Sequence, residues 1–399
     1  MAMTLLSFDA ARAALLASAH PIDDIEWPDL AEAYGRVLAA DLTSPLTVPS
    51  FDNSAMDGYA LRAADVPAPG TRLPVSQRIT AGASGEPLAP GSAARIFTGA
   101  PLPAGADTVV MQELCEAGDG MVTIQHQPRP GDHVRLAGAD IRAGTTILAA
   151  GTRLSAAALG LAASVGVERL PLRRRLRVAI FSTGDELRNP GQPLGPGQIY
   201  NSNRYVMRGF LQSLGLEVVD LGIVADDRQI TRDALLRAAA AADVILASGG
   251  MSEGEEDHVA AAVRAEGRLD VWKVAMKPGK PLAFGSVGQT PFIGLPGNPV
   301  AVWVGLLLLV EPFLARRQGA TEQTASPQRL RADFSWKVKG NRLEFLRVRK
   351  NAQGGLDCYL DQSSGVLSSA VWADGLAVIP PGTEVRPGDE VDFIARPAG

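Results

Sequence analysis

Three lysines stand close together in a chain that otherwise relies on arginine. Of 38 Lys and Arg residues only six are Lys. The first is Lys273, with Lys277 and Lys280 directly after it; the others are Lys337, Lys339 and Lys350. A compact ammonium is not interchangeable with a planar guanidinium where a point donor must reach an oxyanion. Lysines placed against an arginine background therefore read as anion donors. Two glycine-rich loops flank them. Ser248-Gly249-Gly250 runs into an acidic cluster of Glu253, Glu255, Glu256 and Asp257. Pro296-Gly297-Asn298-Pro299 opens a helix at Val300, whose free N–H groups and dipole would favour an anion. Gly184-Asp185-Glu186 and Asp226-Asp227 add further carboxylates. Anion donors beside carboxylates suit a phosphorylated ligand with a divalent metal. Carboxylates without a His or Cys set point to Mg²⁺ and not zinc. His126 and His133 have no partners at ligand spacing. At this level hydrolase, transferase and plain binding module all stay open.

Each of these loops follows a short apolar run, the sequence form of a site at the carboxyl edge of an α/β sheet. Strands are expected at Leu176–Phe181, Glu217–Val224 and Asp243–Ala247, and helices at Asn203–Leu214 and Arg228–Ala242. Such alternation implies a mostly parallel sheet with right-handed crossovers. A hairpin is expected over Leu282–Leu295, then a helix over Val300–Arg316. Arg173-Arg174-Arg175, just before the first strand, reads as a solvated boundary.

The flanking chain is different in kind. Phe8–Ala19 has helical spacing, and a second short helix is expected around Asp29-Leu30, ended by Gly35. Residues 51–60 crowd Asp52, Asn53, Ser54 and Asp57 into a turn that also holds Phe51 and Met56, two large apolar residues that a solvated turn rarely needs. From Ala64 to Leu148 short runs such as Ala94–Phe97, Thr108–Met111 and Met121–Ile124 alternate with Gly and Pro turns, an all-β pattern. Leu154–Ser164 reads as a helix and Thr321–Gln328 as a polar linker. The chain from Leu330 onward is again short and β-like, and no chemistry is visible in it.

Composition narrows the classes. A chain of 399 residues is expected to form two to four domains. Its net charge of −5 argues against a general nucleic-acid binder. Two cysteines far apart in sequence give neither a disulfide framework nor a metal set, and fit a reducing cytoplasm. No secretory signal is read in Met1–Ala19. The longest apolar run, Val300–Val310, is too short to span a bilayer. No GxGxxG and no Walker loop occurs.

Taken together the motifs resemble the molybdopterin molybdenumtransferase family, the MoeA proteins and the E domain of gephyrin. The likeness rests on PSFDNSAMDGYA (49–60), TGAPLPAGADTVVMQE (98–113), RLAGADI (135–141), FSTGDEL (181–187), GQIYNSNRY (197–205), SGGMSEGEEDHV (248–259), WKVAMKPGKPLAFG (272–285) and GLPGNPV (294–300), in order along the whole chain. It implies a multidomain fold of α/β plus β domains. The expected parts are a helical, dimerising domain of residues 1–47 plus 142–173 and an inserted β-rich domain over 48–141. A three-layer α/β/α domain with a mostly parallel sheet follows over 174–324, then a C-terminal β-barrel-like domain over 325–399.

The resemblance also implies insertion of molybdate into adenylated molybdopterin with Mg²⁺ and release of AMP, in a cytoplasmic homodimer whose cleft is shared between subunits. Asp57, Thr98 and Asp140 would come from the β domain of one subunit. Glu186, Asp226, Asp257, Lys273, Lys277, Pro296 and Pro299 would come from the α/β domain of the other. Lys273, Lys277 and the helix start at Val300 would hold molybdate or the pterin phosphate. Glu186, Asp226 and Asp257 would bind Mg²⁺ or polarise water, and Asp57 and Thr98 would orient ligand. Ser248, Gly249, Gly250, Lys280, Gly297 and Asn298 complete the expected binding surface. A molybdopterin adenylyltransferase and acceptor molybdoenzymes are the implied partners. Glu253 departs from the family, which has a small apolar residue there. Two alternatives remain: a non-catalytic scaffold of this fold, and a nucleotide-processing enzyme sharing only the α/β domain.

Overall fold

The computed structural model describes residues 5–250, 258–321 and 327–396. At its centre lies a seven-stranded sheet in the order Leu5–Leu6, Gly267–Val274, Pro281–Val287, Thr290–Leu295, Val244–Ser248, Arg177–Thr183, Glu217–Val224. Four of its six pairings are parallel, and the two made by Pro281–Val287 are antiparallel, as the hairpin pattern requires. The central strands are apolar throughout because both faces are covered. Val178, Ile180, Val244 and Leu246 point into one core. Ala179, Phe181, Ile245 and Ala247 point into the other. The first core is closed by helices Phe8–Ala17, Ser202–Ser213 and the segment from Pro299, the second by Arg228–Ala241 and His258–Glu266. This is a three-layer α/β/α domain.

The long helix departs from a regular course. It is α-helical over Pro299–Gly305, widens to a π turn over Leu306–Val310 and resumes over Glu311–Arg317. Pro312 has no N–H for the carbonyl four residues earlier, and the wider turn sits directly ahead of it. The helix thus runs beyond the Val300–Val310 run. By length and composition it is the one membrane-crossing candidate among the described residues, yet Val300, Val302, Val304, Leu306 and Phe313 are buried in the first core.

Two readings of the N-terminal half change. The helix around Asp29 is a single 3₁₀ turn, Leu30–Glu32, after which Gly35 takes a left-handed φ of +72°. Residues on both sides of the β-rich insertion share one small core of Ala33, Leu38, Leu154, Ala158 and Leu172. The insertion itself is a six-stranded sheet containing Gly58–Leu61, Thr71–Ile79, Ala93–Ile96 and Thr108–Met111. The arginine run at 173–175 is not a solvated linker. Arg173 donates to the Ile22 carbonyl at 2.7 Å and Arg175 to the Gly215 carbonyl at 2.7 Å. Arg174 grips Asp243 with two hydrogen bonds of 2.9 Å.

The C-terminal sheet runs Met276–Lys277, Leu343–Lys350, Gly375–Ile379, Glu390–Ala395, Gln328–Arg331. Its first strand belongs, in sequence, to the lysine loop of the α/β domain. Phe345 and Leu376 reach into the α/β core, and the rings of Phe8 and Phe345 meet edge to face at 5.2 Å.

Burial alone would raise the Asp243 carboxyl, but hydrogen bonds from Arg174 and the Arg177 N–H hold it below its ordinary 3.8. A depressed folded value means the contribution is fully present above the unfolded pKa and is lost as pH falls through the folded one. Asp243→Asn is expected to destabilise the protein by about 2 kcal/mol near neutrality, somewhat less than for a fully buried pair. Denaturant titrations against pH should show that difference shrinking below pH 4, and a constant difference would contradict the assignment.

Candidate functional site

The glycine loop is shaped by close approach. Ser248 is buried, its hydroxyl 3.0 Å from that of Ser182. Its oxygen is therefore engaged in the strand ends and not offered to a ligand. Gly249 and Gly250 follow with φ of +85° and +63°. A Cβ on Gly249 would lie 2.6 Å from the Thr183 carbonyl oxygen. One on Gly250 would lie 2.8 Å from the Thr183 hydroxyl and from a Val259 methyl. Only glycine satisfies both the space and the dihedral. The acid cluster that follows, Glu253, Glu255, Glu256 and Asp257, lies outside the described residues.

The lysine loop leaves the central sheet after Val274 and returns at Pro281, closed by the Val274 N–H donating to the Lys280 carbonyl at 2.7 Å. Between these points Lys277 pairs in register with Glu344 of the C-terminal sheet. Its ammonium donates to Glu344 Oε1 at 3.1 Å and lies 5.9 Å from the centre of the Trp336 ring. Lys280 is exposed at the loop end. Lys273 sits earlier, opposite Pro281 on the sheet, half-buried and engaged by a neighbour.

The third loop is held from the side. Asn203 Nδ2 donates to the Gly297 carbonyl at 2.7 Å. Asn298 occupies the cap position of the helix but makes no capping bond, so its amide is left to the cleft. The expected donor at Val300 is already used, since its N–H donates to the Ser364 carbonyl at 3.0 Å. Helix geometry predicts a free group there; the loop of another domain occupies it.

These loops wall a cleft of about 630 Å³. Gly249, Gly250, Lys277, Lys280, Pro296, Gly297 and Asn298 line one side. Arg342, Gln362, Ser363 and Ser364, from the C-terminal domain, line the other. That second wall was missed in the sequence. Its signal was weak but present: Glu344 and Arg347 interrupt the apolar run of Leu343, Phe345, Leu346 and Val348. Arg347 is 1% exposed and donates to Ser369 Oγ at 3.1 Å and the Ser363 carbonyl at 3.2 Å. Gln362 clasps its backbone, accepting from the Arg347 N–H at 2.9 Å and donating to its carbonyl at 3.0 Å. Burial takes the Arg347 guanidinium down to about 10, against smaller opposing pulls from Cys358 and Asp361. It remains charged at neutral pH, just behind the cleft wall. Lys277, Lys280 and Arg342 line the cleft, and among the described residues no carboxylate does. Among the described residues Lys280 and Arg342 have no carboxylate partner. The charge of the described lining suits an anion.

Other expected residues stand apart from it. Glu186 is exposed and its carboxylate packs over Gly184, where φ is +143°. Asp226 is exposed at the next strand end, its N–H 3.5 Å from Asp185 Oδ1, so the two carboxylate loops adjoin. Asp227 instead caps its helix through the N–H groups of Gln229 and Ile230 at 2.8 and 2.9 Å. Among the described residues no three metal-ligating side chains converge. Oxygen donors on adjoining loops suit a hard cation such as Mg²⁺, and the third expected ligand, Asp257, lies outside the described residues.

In the β-rich domain the structure brings Asp57 and Thr98 together. Asp57 Oδ1 accepts from the Thr98 N–H and hydroxyl, both at 2.8 Å. The Thr98 N–H, then its hydroxyl, hold the carboxyl below its ordinary 3.8, with help from Arg95. Asp140 is exposed on a separate turn, its N–H bonded to the Val48 carbonyl at 3.1 Å. None of the three lines the cleft. Phe51 and Met56, beside Asp57, are exposed.

A three-layer α/β domain whose lysine loop is stitched into a C-terminal β domain, with a cationic cleft at the seam, defines a class of multidomain α/β proteins. Comparison with known sequences and structures places the chain within it. Residues 6–166 match the MoeA N-terminal region (domain I and II), 179–316 the probable molybdopterin binding domain and 329–395 the MoeA C-terminal region (domain IV). The molybdopterin molybdenumtransferase of Haemophilus influenzae is 39% identical over 345 residues, 86% of this chain and 85% of that protein. The one from Nostoc is 38% identical over 390 residues, 94% and 89% of the two chains. A crystal structure of a molybdopterin biosynthesis MoeA protein from Pyrococcus horikoshii superposes with a TM-score of 0.80 at 32% identity, covering 98% of this chain and 99% of that one. The chain belongs to the MoeA family.

Thr98→Val removes one of the two bonds to Asp57 and keeps the N–H. Carboxyl-carbon NMR titration is expected to place Asp57 below 3.8 in the wild type and higher in the variant. An unmoved midpoint would show that the hydroxyl contributes nothing.

Proposed function

We propose that this chain acts in molybdenum cofactor biosynthesis as a molybdopterin molybdenumtransferase, inserting the metal of molybdate into adenylated molybdopterin with release of AMP. One observation carries the reading. Among the described residues three cations line the cleft, two of them without a carboxylate partner, and no carboxylate lines it. Both proposed substrates are polyanions. Lys280 and Arg342 would bind an oxyanion directly, while Lys277, fixed on Glu344, presents its remaining protons to the same space. Gly249 and Gly250 let backbone approach the ligand closely, and Asn298 supplies a neutral amide.

Mg²⁺, when bound, would neutralise charge on the phosphates; Glu186 and Asp226, on adjoining loops, would hold it, as would Asp257, which lies outside the described residues. Asp57 and Thr98 would serve as an ordered wall contributed by a second subunit. Support for that role is their mutual hydrogen bonding and the exposed Phe51 and Met56 beside them. Delivery by a molybdopterin adenylyltransferase and handover to an acceptor molybdoenzyme complete the proposed context.

Removal of a charged donor from such a site costs about 3 kcal/mol of transition-state stabilisation, roughly a hundredfold in rate. Purified protein mixed with adenylated molybdopterin, molybdate and Mg²⁺ is expected to release AMP only when molybdate is present. Lys280→Ala and Arg342→Ala should each lower kcat/KM for molybdate by about that factor. Absence of molybdate-dependent AMP release from the wild type would favour the non-catalytic scaffold.

A further inference from the structure

Glu344 is out of place by burial. It is 3% exposed in a strand whose neighbours Phe345, Leu346 and Val348 are core residues. A carboxylate is retained in such a position only where specific partners compensate its lost hydration. Both of its oxygens are used. Oε1 takes the Lys277 ammonium at 3.1 Å and Oε2 the Trp336 indole N–H at 2.7 Å. The backbones of Lys277 and Glu344 are also paired in register across the two domains. Lys277 itself is the more open member, with 42% of its side chain exposed against 4% for Glu344. The buried end of the pair is thus fixed and the wet end stands in the cleft wall.

We propose that Glu344 is a positioning residue that anchors the Lys277 ammonium for capture of a tetrahedral oxyanion in the cleft. The proposal rests on the oxyanion reading of that cleft given above. Two effects of Glu344 oppose each other, and they predict opposite signs. As a charge it weakens the positive field of the cleft, so removing it would tighten anion binding. As an anchor it prevents a long, flexible side chain from turning out to water, so removing it would loosen binding. The anchor dominates because its effect acts on the donor itself, whereas the carboxylate lies behind the ammonium that screens it from the ligand.

The test uses the full chain and molybdate alone, read by isothermal titration calorimetry, together with the KM for molybdate in AMP release. Glu344→Gln is expected to weaken molybdate binding and raise its KM about tenfold, with kcat changed less than twofold. In a Lys277→Ala background the same substitution should add less than twofold, because the effect runs through Lys277. A purely structural role would weaken binding equally in both backgrounds, and that result overturns the proposal, as does unchanged or tighter binding in Glu344→Gln. Should Glu344→Gln fail to fold, Glu344→Asp carries the test. Drawing the carboxylate back by one methylene should weaken binding about threefold with Lys277 present and leave it unchanged in Lys277→Ala. Wild-type binding of molybdate without AMP release removes the transferase reading and leaves the anchoring test intact. No binding of molybdate by the wild type overturns both.

Discussion

The cleft depends on a strand of two residues. Met276–Lys277 leaves the central sheet and pairs with Leu343–Lys350, so one short segment is shared by two domains. The Ala275 N–H donates to the Leu6 carbonyl at 2.8 Å, and the Leu343 N–H donates back to the Ala275 carbonyl at 2.9 Å. Met276 is buried in the α/β core while its neighbour Lys277 faces the cleft, the alternation a strand imposes. Any rotation of the C-terminal domain would have to break this pairing, uncover Phe345 and Leu376, and release the Val300 N–H from Ser364. The two walls of the cleft are therefore set by one junction and not by two independently placed domains.

Charge is distributed to match. Among the described residues no carboxylate of the C-terminal domain lines the cleft. Arg347 is satisfied by a hydroxyl and carbonyls, so its charge is not cancelled locally. Glu344 is turned away onto Lys277 and Trp336. Neutral acceptors hold the guanidinium in place at low dielectric, where its field reaches further than it would in water. The outcome is a positive cleft in which Lys277 and Arg347 are already held in place before an anion arrives.

Much of this was legible in the sequence for identifiable reasons. Strands buried on both faces appear as continuous apolar runs, so Val244–Ser248 could be read within a residue. The lysine cluster was visible because the rest of the chain uses arginine. What could not be read was non-local. Nothing near Lys277 in sequence announces Glu344, 67 residues on. Nothing near Val300 announces that Ser364 takes its N–H. The arginines at 173–175 looked solvated because their acceptors, at Ile22, Gly215 and Asp243, are distant in sequence. Turn chemistry misled in one case: Asp29 opens only a single turn because Gly35 closes it so soon. Ser248, chosen by motif, turned out to be committed to Ser182.

The described acids singled out above stand outside the cleft. Asp57 is held ionised by two donors that are already within its own domain, so its geometry costs nothing further when ligand binds. Glu186 and Asp226 sit exposed on adjoining loops, outside the cationic cleft. A carboxylate placed among Lys277, Lys280 and Arg342 would neutralise the groups that recognise an anion. A carboxylate kept apart can instead face a cation that the anion brings with it. Under the proposed function the substrate would join the two groups, its phosphates meeting Mg²⁺ and its oxyanion partner the lysines. On that view Asp57 and Thr98, which do not line the cleft of their own chain, would have to be supplied from elsewhere. A second subunit would satisfy that requirement and cover Phe51 and Met56 in the same step.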